Sequence, residues 1–147
     1  MPGSSAWITS SPSRLAPRPW LPPGEQPDSA YPFVLVTGRR LEHYNTGSMT
    51  RRTANLALVP EELLDVHPDD ASPLGLRDGR AVTVTSRRAS TTLTARITPD
   101  VAPGTVFAAF HFPDAAVNTL TSQHTDTDTG CPEYKVTAVR LAAAGAP

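Results

Sequence analysis

The chain has 147 residues, 39% of them hydrophobic and 6% aromatic, with a formal net charge of −1. That length suits one domain with a real core, and no apolar run approaches the roughly 20 residues that span a bilayer. Thirteen basic residues against 14 acidic ones leave no bulk charge to hold nucleic acid, and a lone cysteine, Cys131, excludes a disulfide framework or thiolate cluster within the chain.

Eight of the 16 prolines fall in residues 1–32, among many serines. This stretch has neither a helical nor a strand period, and proline favours extended structure there. It reads as a disordered or draped arm over residues 1–30, with the domain proper at 31–147. Trp7 and Trp20 are either docking points or parts of an unstructured leader. The arm lacks a basic segment followed by an apolar one, so the expected location is cytoplasmic.

Short strands follow. Phe33-Val34-Leu35-Val36 is a continuous apolar run, as for a strand buried on both faces, and Thr37-Gly38-Arg39 reads as a turn. Leu63–Val66 is a second strand. His67-Pro68-Asp69-Asp70-Ala71 starts a helix, with proline and acids in its first turn, and Pro73 stops it. Ala81–Ser86 and the alternating Leu93, Ala95 and Ile97 are two strands joined by a hairpin at Arg87–Ser90. Pro103-Gly104 turns into the strand Thr105–Phe110, and the last strand runs from Tyr134 to Leu141. Ala115–Leu120 has room for one or two helical turns, and 123–130 is a polar loop. Five to seven strands rich in Thr and Val predict an all-β barrel or sandwich.

Chemical motifs are sparse. The sequence has no Gly-x-Ser-x-Gly elbow, Walker loop, Gly-x-Gly-x-x-Gly or His-Glu-x-x-His. Cys131 with His111 or His124 makes a poor nucleophile, since a free cysteine before proline in a polar loop is far more often inert. His43, His67, His111 and His124 lack the local spacing of a metal site. The densest segment is TGRRLEHYNTGSMTRR, Thr37 to Arg52, with four Arg against one acid, Glu42. Glycine lets backbone approach a phosphate, hydroxyls donate to it and Arg binds it bidentately. A solvated basic loop is the other reading.

Several motifs occur in a telling order. Tyr31-Pro32-Phe33-Val34-Leu35-Val36-Thr37-Gly38-Arg39, Leu41-Glu42-His43-Tyr44 and Thr46-Gly47-Ser48-Met49-Thr50-Arg51-Arg52 come first. His67-Pro68-x-Asp70-Ala71-x-x-Leu74-Gly75-Leu76-x-Asp78-Gly79 and Val82-Thr83-Val84-Thr85-Ser86 follow. Phe110-His111-Phe112, Ala116-x-Asn118-x-Leu120-Thr121 and Pro132-Glu133-Tyr134-Lys135-x-x-Ala138-Val139 complete the set. Together they resemble the C-terminal molybdopterin-dinucleotide-binding domain of the formate dehydrogenase, nitrate reductase and dimethyl sulfoxide reductase superfamily, over residues 31–141.

The resemblance implies a six-stranded double-psi β-barrel that closes over one side of a bis-molybdopterin guanine dinucleotide. Position by position, it implies cofactor contacts from Thr37, Gly38, Arg39, Arg40, Leu41, Glu42, His43, Tyr44, Asn45 and Thr46, and from Asn118 and Lys135. It also implies that Phe110 faces the substrate funnel. An Asn amide suits the donor–acceptor edge of a pterin, and a Lys supplies a point charge. Taken alone, Asn118 reads more readily as a helix cap and Lys135, the only lysine, as a surface residue of the last strand, and the motif order reverses that. Asn45 stands where a His is common in the family, and Pro73 breaks a usually continuous helix. The iron–sulfur cysteines, the metal-ligating residue and the other domains of such enzymes are absent from this sequence. The implied partner is therefore a molybdenum- and iron–sulfur-bearing catalytic domain or subunit, and no side chain here is expected to perform the redox chemistry. A stand-alone module that holds or delivers pterin dinucleotides is the alternative.

Overall fold

The computed structural model describes Pro17 and residues 19–145. Six strands form a closed barrel: β1 (Phe33–Gly38), β2 (Leu63–Val66), β3 (Ala81–Ser86), β4 (Ser90–Ile97), β5 (Thr105–Ala109) and β6 (Thr137–Ala143). Around the barrel their order is β1-β5-β2-β4-β3-β6. Two pairs are parallel, β1 with β5 and β2 with β4, and the other four are antiparallel. This is the double-psi barrel, and closure leaves no sheet edge unpaired.

The period of two decides what fills it. On β3 Val82, Val84 and Ser86 point inward, and on β4 Leu93 and Ala95 do. Leu35, Leu64, Val66, Val106 and Val139 are fully buried in the same cluster. Val117 and Leu120 enter this cluster from outside the strands, which makes the turn around Asn118 part of the core's lid. Burying each such side chain contributes about 1.5–3 kcal/mol. β1 is inward-buried at Leu35 and Thr37, while Phe33, Val34 and Val36 are half-covered, so only one face of the expected fully buried run is sealed.

Three boundaries move for identifiable reasons. β1 continues through Thr37-Gly38, because both residues pair with β5 instead of turning. β6 begins at Thr137, not Tyr134: the Tyr134 carbonyl is taken by the Thr37 hydroxyl at 2.5 Å. Ala115–Leu120 is two 3-10 turns, Pro113–Ala115 and Val117–Thr119, separated by Ala116 at φ +50°. The helix α1 (Asn55–Leu58) and a 3-10 turn at Thr50–Arg52 lie where sequence reading finds only loop. The helix α2 (Pro68–Ala71) starts as expected, capped by the His67 ring, which accepts from Asp69 N–H.

Trp20 is 81% exposed, and Trp7 lies outside the described residues. From Gly24 to Tyr31 the arm is draped on the barrel. Asp28 accepts from the backbone of Ala30 and Tyr31 and pairs with Arg87, whose guanidinium lies 4.7 Å from the Tyr31 ring centre. Among the described residues no helix is long and apolar enough to cross a membrane.

Candidate functional site

The site grows from the end of β1. Gly38 has to be glycine: a Cβ there would stand 2.6 Å from the Phe107 ring. Phe107 therefore lies across β1, and the Arg40 guanidinium sits 5.4 Å above it. Arg40 points inward. It is held by Asp65 through Nη1 at 3.3 Å and Nη2 at 3.0 Å, and by the Leu63 carbonyl at 3.1 Å. Asp65 also takes two bonds from Arg96. The side chain of Arg40 is thus spent on the barrel wall, not offered to a ligand.

A buried histidine ties the next residues down. His111 follows β5, is fully buried, and accepts the Arg40 N–H on Nε2 at 2.8 Å. Its Nδ1–H donates to the Asn45 carbonyl. Burial lowers its pKa below the ordinary histidine value, against the Asn45 bond, which raises it. Asn45 adopts φ +49°, a left-handed conformation that Asn tolerates better than most residues.

His43 performs a second tie. It is 4% exposed, donates from Nε2 to the Val59 carbonyl at 2.8 Å, and accepts on Nδ1 from the Thr50 hydroxyl at 3.0 Å. Asn55 Nδ2 donates to the Glu42 carbonyl at 2.6 Å. Gly47, at φ +68°, lies so close to His111 that a Cβ would meet its carbonyl at 2.8 Å. Behind these residues Glu62 accepts from the N–H groups of Ala109 and His111, at 2.9 and 3.3 Å. Desolvation raises the Glu62 pKa even though those bonds and the Arg40 charge lower it.

The outer wall is a cleft of about 410 Å³ lined by Arg39, Phe110, Asn118, Thr121, Ser122, Pro132 and Tyr134. Arg39 stands 6.0 Å over the half-buried Phe110 ring. Lys135 sits beside the cleft with its ammonium 3.5 Å from the Thr37 carbonyl. Among the described residues no carboxylate pairs with Arg39, Arg51, Arg52 or Lys135. Arg40 and Arg51 each keep a buried Nε without a hydrogen-bond partner.

Of the residues singled out from sequence, Arg39, Phe110 and Asn118 line this cleft and Lys135 lies beside it, while Thr37 and Gly38 are buried in β1. Arg40 and His43 turn inward, Thr46 is exposed, and Leu41 and Tyr44 face outward at 98% and 60% exposure. Sequence reading missed Glu62, Asp65 and His111, which position the loop. No local signal marks His111: the inward set Val106 and Ala108 continues in register to Phe110, and His111 lies on the other parity. Among the described residues no group of three or more His, Cys, Asp or Glu is placed to hold a metal.

The family model described as the molydopterin dinucleotide binding domain matches residues 33–138. The chain belongs to that family. The alpha subunit of the F420-dependent formate dehydrogenase of Methanocaldococcus jannaschii is 47% identical over 118 residues, covering 80% of this chain and 18% of that protein. The F420-dependent formate dehydrogenase 1 alpha subunit of Methanococcus maripaludis is 42% identical over 120 residues, covering 81% and 18%. A nitrate reductase of Symbiobacterium thermophilum is 40% identical over 129 residues, covering 84% and 17%. The chain thus spans less than a fifth of the length of these relatives. Acetylene hydratase from Pelobacter acetylenicus shares the fold, with a TM-score of 0.67 at 17% identity over 77% of this chain and 18% of that one.

The donor set fits such a cofactor. Cations without a carboxylate partner suit its phosphates, and an exposed Asn amide suits a pterin edge. The cleft is one open wall, so the remaining surface of the ligand must be covered by something else.

Proposed function

We propose that this chain binds and orients a molybdopterin guanine dinucleotide for the catalytic domains of a formate dehydrogenase or nitrate reductase type enzyme. When bound, the cofactor supplies the redox chemistry through molybdenum held by those other domains. The chain's own residues bind and orient. Asn118 offers a donor and an acceptor to the ring edge, Lys135 and Arg39 supply charge, and the backbone from Thr37 to Thr46 forms the floor. Arg40 and His43 act from beneath, by fixing that backbone.

The observation that carries this reading is the meeting of Arg39 and Asn118 at one cleft, with Lys135 beside it next to the lining residue Tyr134, from segments distant in the chain. Leu41, Tyr44, Met49 and Leu58 on the adjoining segment are all exposed, which supports a partner surface there. A cytoplasmic setting accords with the relation to formate dehydrogenase alpha subunits.

The test is titration of the full chain with molybdopterin guanine dinucleotide, followed by pterin fluorescence. Lys135→Ala should bind about tenfold more weakly, the scale of one lost charged hydrogen bond, with unchanged thermal stability. Equal affinities remove Lys135 from the site, and absence of binding by the unaltered chain sinks the proposal.

A further inference from the structure

The arm contains a buried carboxylate that the proposed site does not use. Glu25 is 5% exposed, and it gathers three parts of the chain. Its Oε1 accepts from Arg87 Nη1 at 2.8 Å and from the Ala138 N–H at 3.1 Å. Its Oε2 meets Arg88 Nη2 at 2.8 Å. Arg88 reaches further, donating from Nε and Nη2 to the Leu120 carbonyl at 3.2 and 2.9 Å. Leu120 closes the turn Val117–Thr119 that carries Asn118.

The neighbouring residue adds a second tether. The Gly24 N–H donates to Glu133 Oε2 at 2.8 Å, and Glu133 directly precedes Tyr134 and Lys135. Gly24 is packed so closely on His124 that a Cβ would lie 2.6 Å from its ring. Neither Asn118 nor Lys135 belongs to a strand, so no barrel ladder sets their separation. The two segments meet directly where the Glu133 N–H donates to the His124 carbonyl at 2.8 Å and the Ser122 N–H to the Thr137 hydroxyl at 3.3 Å, and both also reach the arm, one through Arg88 and the other through Ala138 and Glu133.

A buried carboxylate held by partly exposed arginines adds little net stability, because its desolvation offsets much of the attraction, but it fixes geometry. We propose that Glu25 is a positioning residue: through Arg88 and the Ala138 amide it sets the spacing between the Asn118 turn and the Tyr134–Lys135 segment, and so the width of the cleft. This rests on the reading of Asn118 and Lys135 as ligands of the pterin dinucleotide.

Hydrogen exchange and binding on the full chain test it. Glu25→Gln keeps the side chain's shape but turns an amide toward the Arg88 guanidinium. Exchange should speed up about tenfold, the scale of one charged hydrogen bond, in residues 117–123 and 133–138 together. Molybdopterin guanine dinucleotide affinity should fall by about the same factor. In that background Lys135→Ala should cost much less affinity than it does alone, a non-additivity that general loosening would not produce. Asp28→Asn, which spares the Glu25–Arg88–Leu120 chain, should leave exchange in 117–123 unchanged.

Wild-type exchange in either segment of Glu25→Gln, or full additivity with Lys135→Ala, overturns the proposal. Should Glu25→Gln fail to fold, Arg88→Lys takes its place. It retains the ion pair but loses the two-pronged hold on Leu120, so exchange should rise in 117–123 alone, and no rise there overturns the proposal. Coupled exchange in a chain that does not bind the dinucleotide upholds the Glu25 linkage and overturns the binding reading instead.

Discussion

The hairpin of β3 and β4 and the segment 39–60 hold their chains in opposite ways. The hairpin is a continuous backbone ladder, Val82 opposite Leu93 and Val84 opposite Thr91, closed at Ser86 by its own hydroxyl and backbone. Segment 39–60 has no strand and only short helical turns. Its shape comes from side chains that reach backbone: His111 to Arg40 and Asn45, His43 to Val59, Asn55 to Glu42. Ladder bonds are interchangeable and survive most substitutions. A loop held by named side chains leaves its backbone amides and carbonyls free to face a ligand, but each tether is irreplaceable.

The strongest way to break this contrast is His111→Ala. It opens a cavity and strands the Arg40 N–H and the Asn45 carbonyl, so about 4 kcal/mol should be lost in urea unfolding. Exchange protection should vanish over 39–47 before it does in the hairpin. Protection lost uniformly would show that the loop is not held separately.

Val84→Ala strikes the other region. The cavity should cost about 2 kcal/mol, yet leave the dinucleotide affinity as it was, because no tether of the segment is touched. A weakened affinity would mean that the barrel wall and the loop are one unit.

The smallest effect is a pH dependence with a known sign. His111 is held below its ordinary pKa by burial, so the unfolded chain takes up a proton first as pH falls through about 6.5. Stability should therefore decline below neutrality, down to the folded-state pKa, and His111→Ala should flatten the decline. Glu62 acts oppositely. Its raised pKa means that the folded chain holds a proton longer, so its contribution is present at low pH and lost as pH rises through the carboxylate range. Unfolding midpoints measured from pH 4 to pH 8 on both single variants, Glu62→Gln being the second, separate the two slopes.

How far the fold can be read from sequence follows the same division. β2, β3 and the turn at Pro103-Gly104 are legible because alternation and turn residues are local signals. The start of β6 is not, since it depends on a hydroxyl at Thr37 capturing the Tyr134 carbonyl from far along the chain. For the site, the motif order brings forward Arg39, Phe110 and Asn118, which line one cleft, and Lys135, which lies beside it. It could not distinguish Arg39 from Arg40, adjacent residues of one type, because the difference lies in Asp65 on another strand. Nor could composition reveal Glu25, whose partners at Arg88 and Ala138 are made neighbours only by closure of the barrel.

The pairing of β1 with β5 and β6 also has a consequence for how the protein is made. Both partners are encoded well downstream, and Phe33 meets Val139 only when β6 is available. During synthesis β1 therefore waits with two bare edges, and contacts of such long sequence separation form slowly. A nascent apolar strand in that state invites pairing with other chains. Slowing translation after β5, or supplying a chaperone that shields extended segments, should then raise the soluble yield more than any stabilising substitution in the finished barrel.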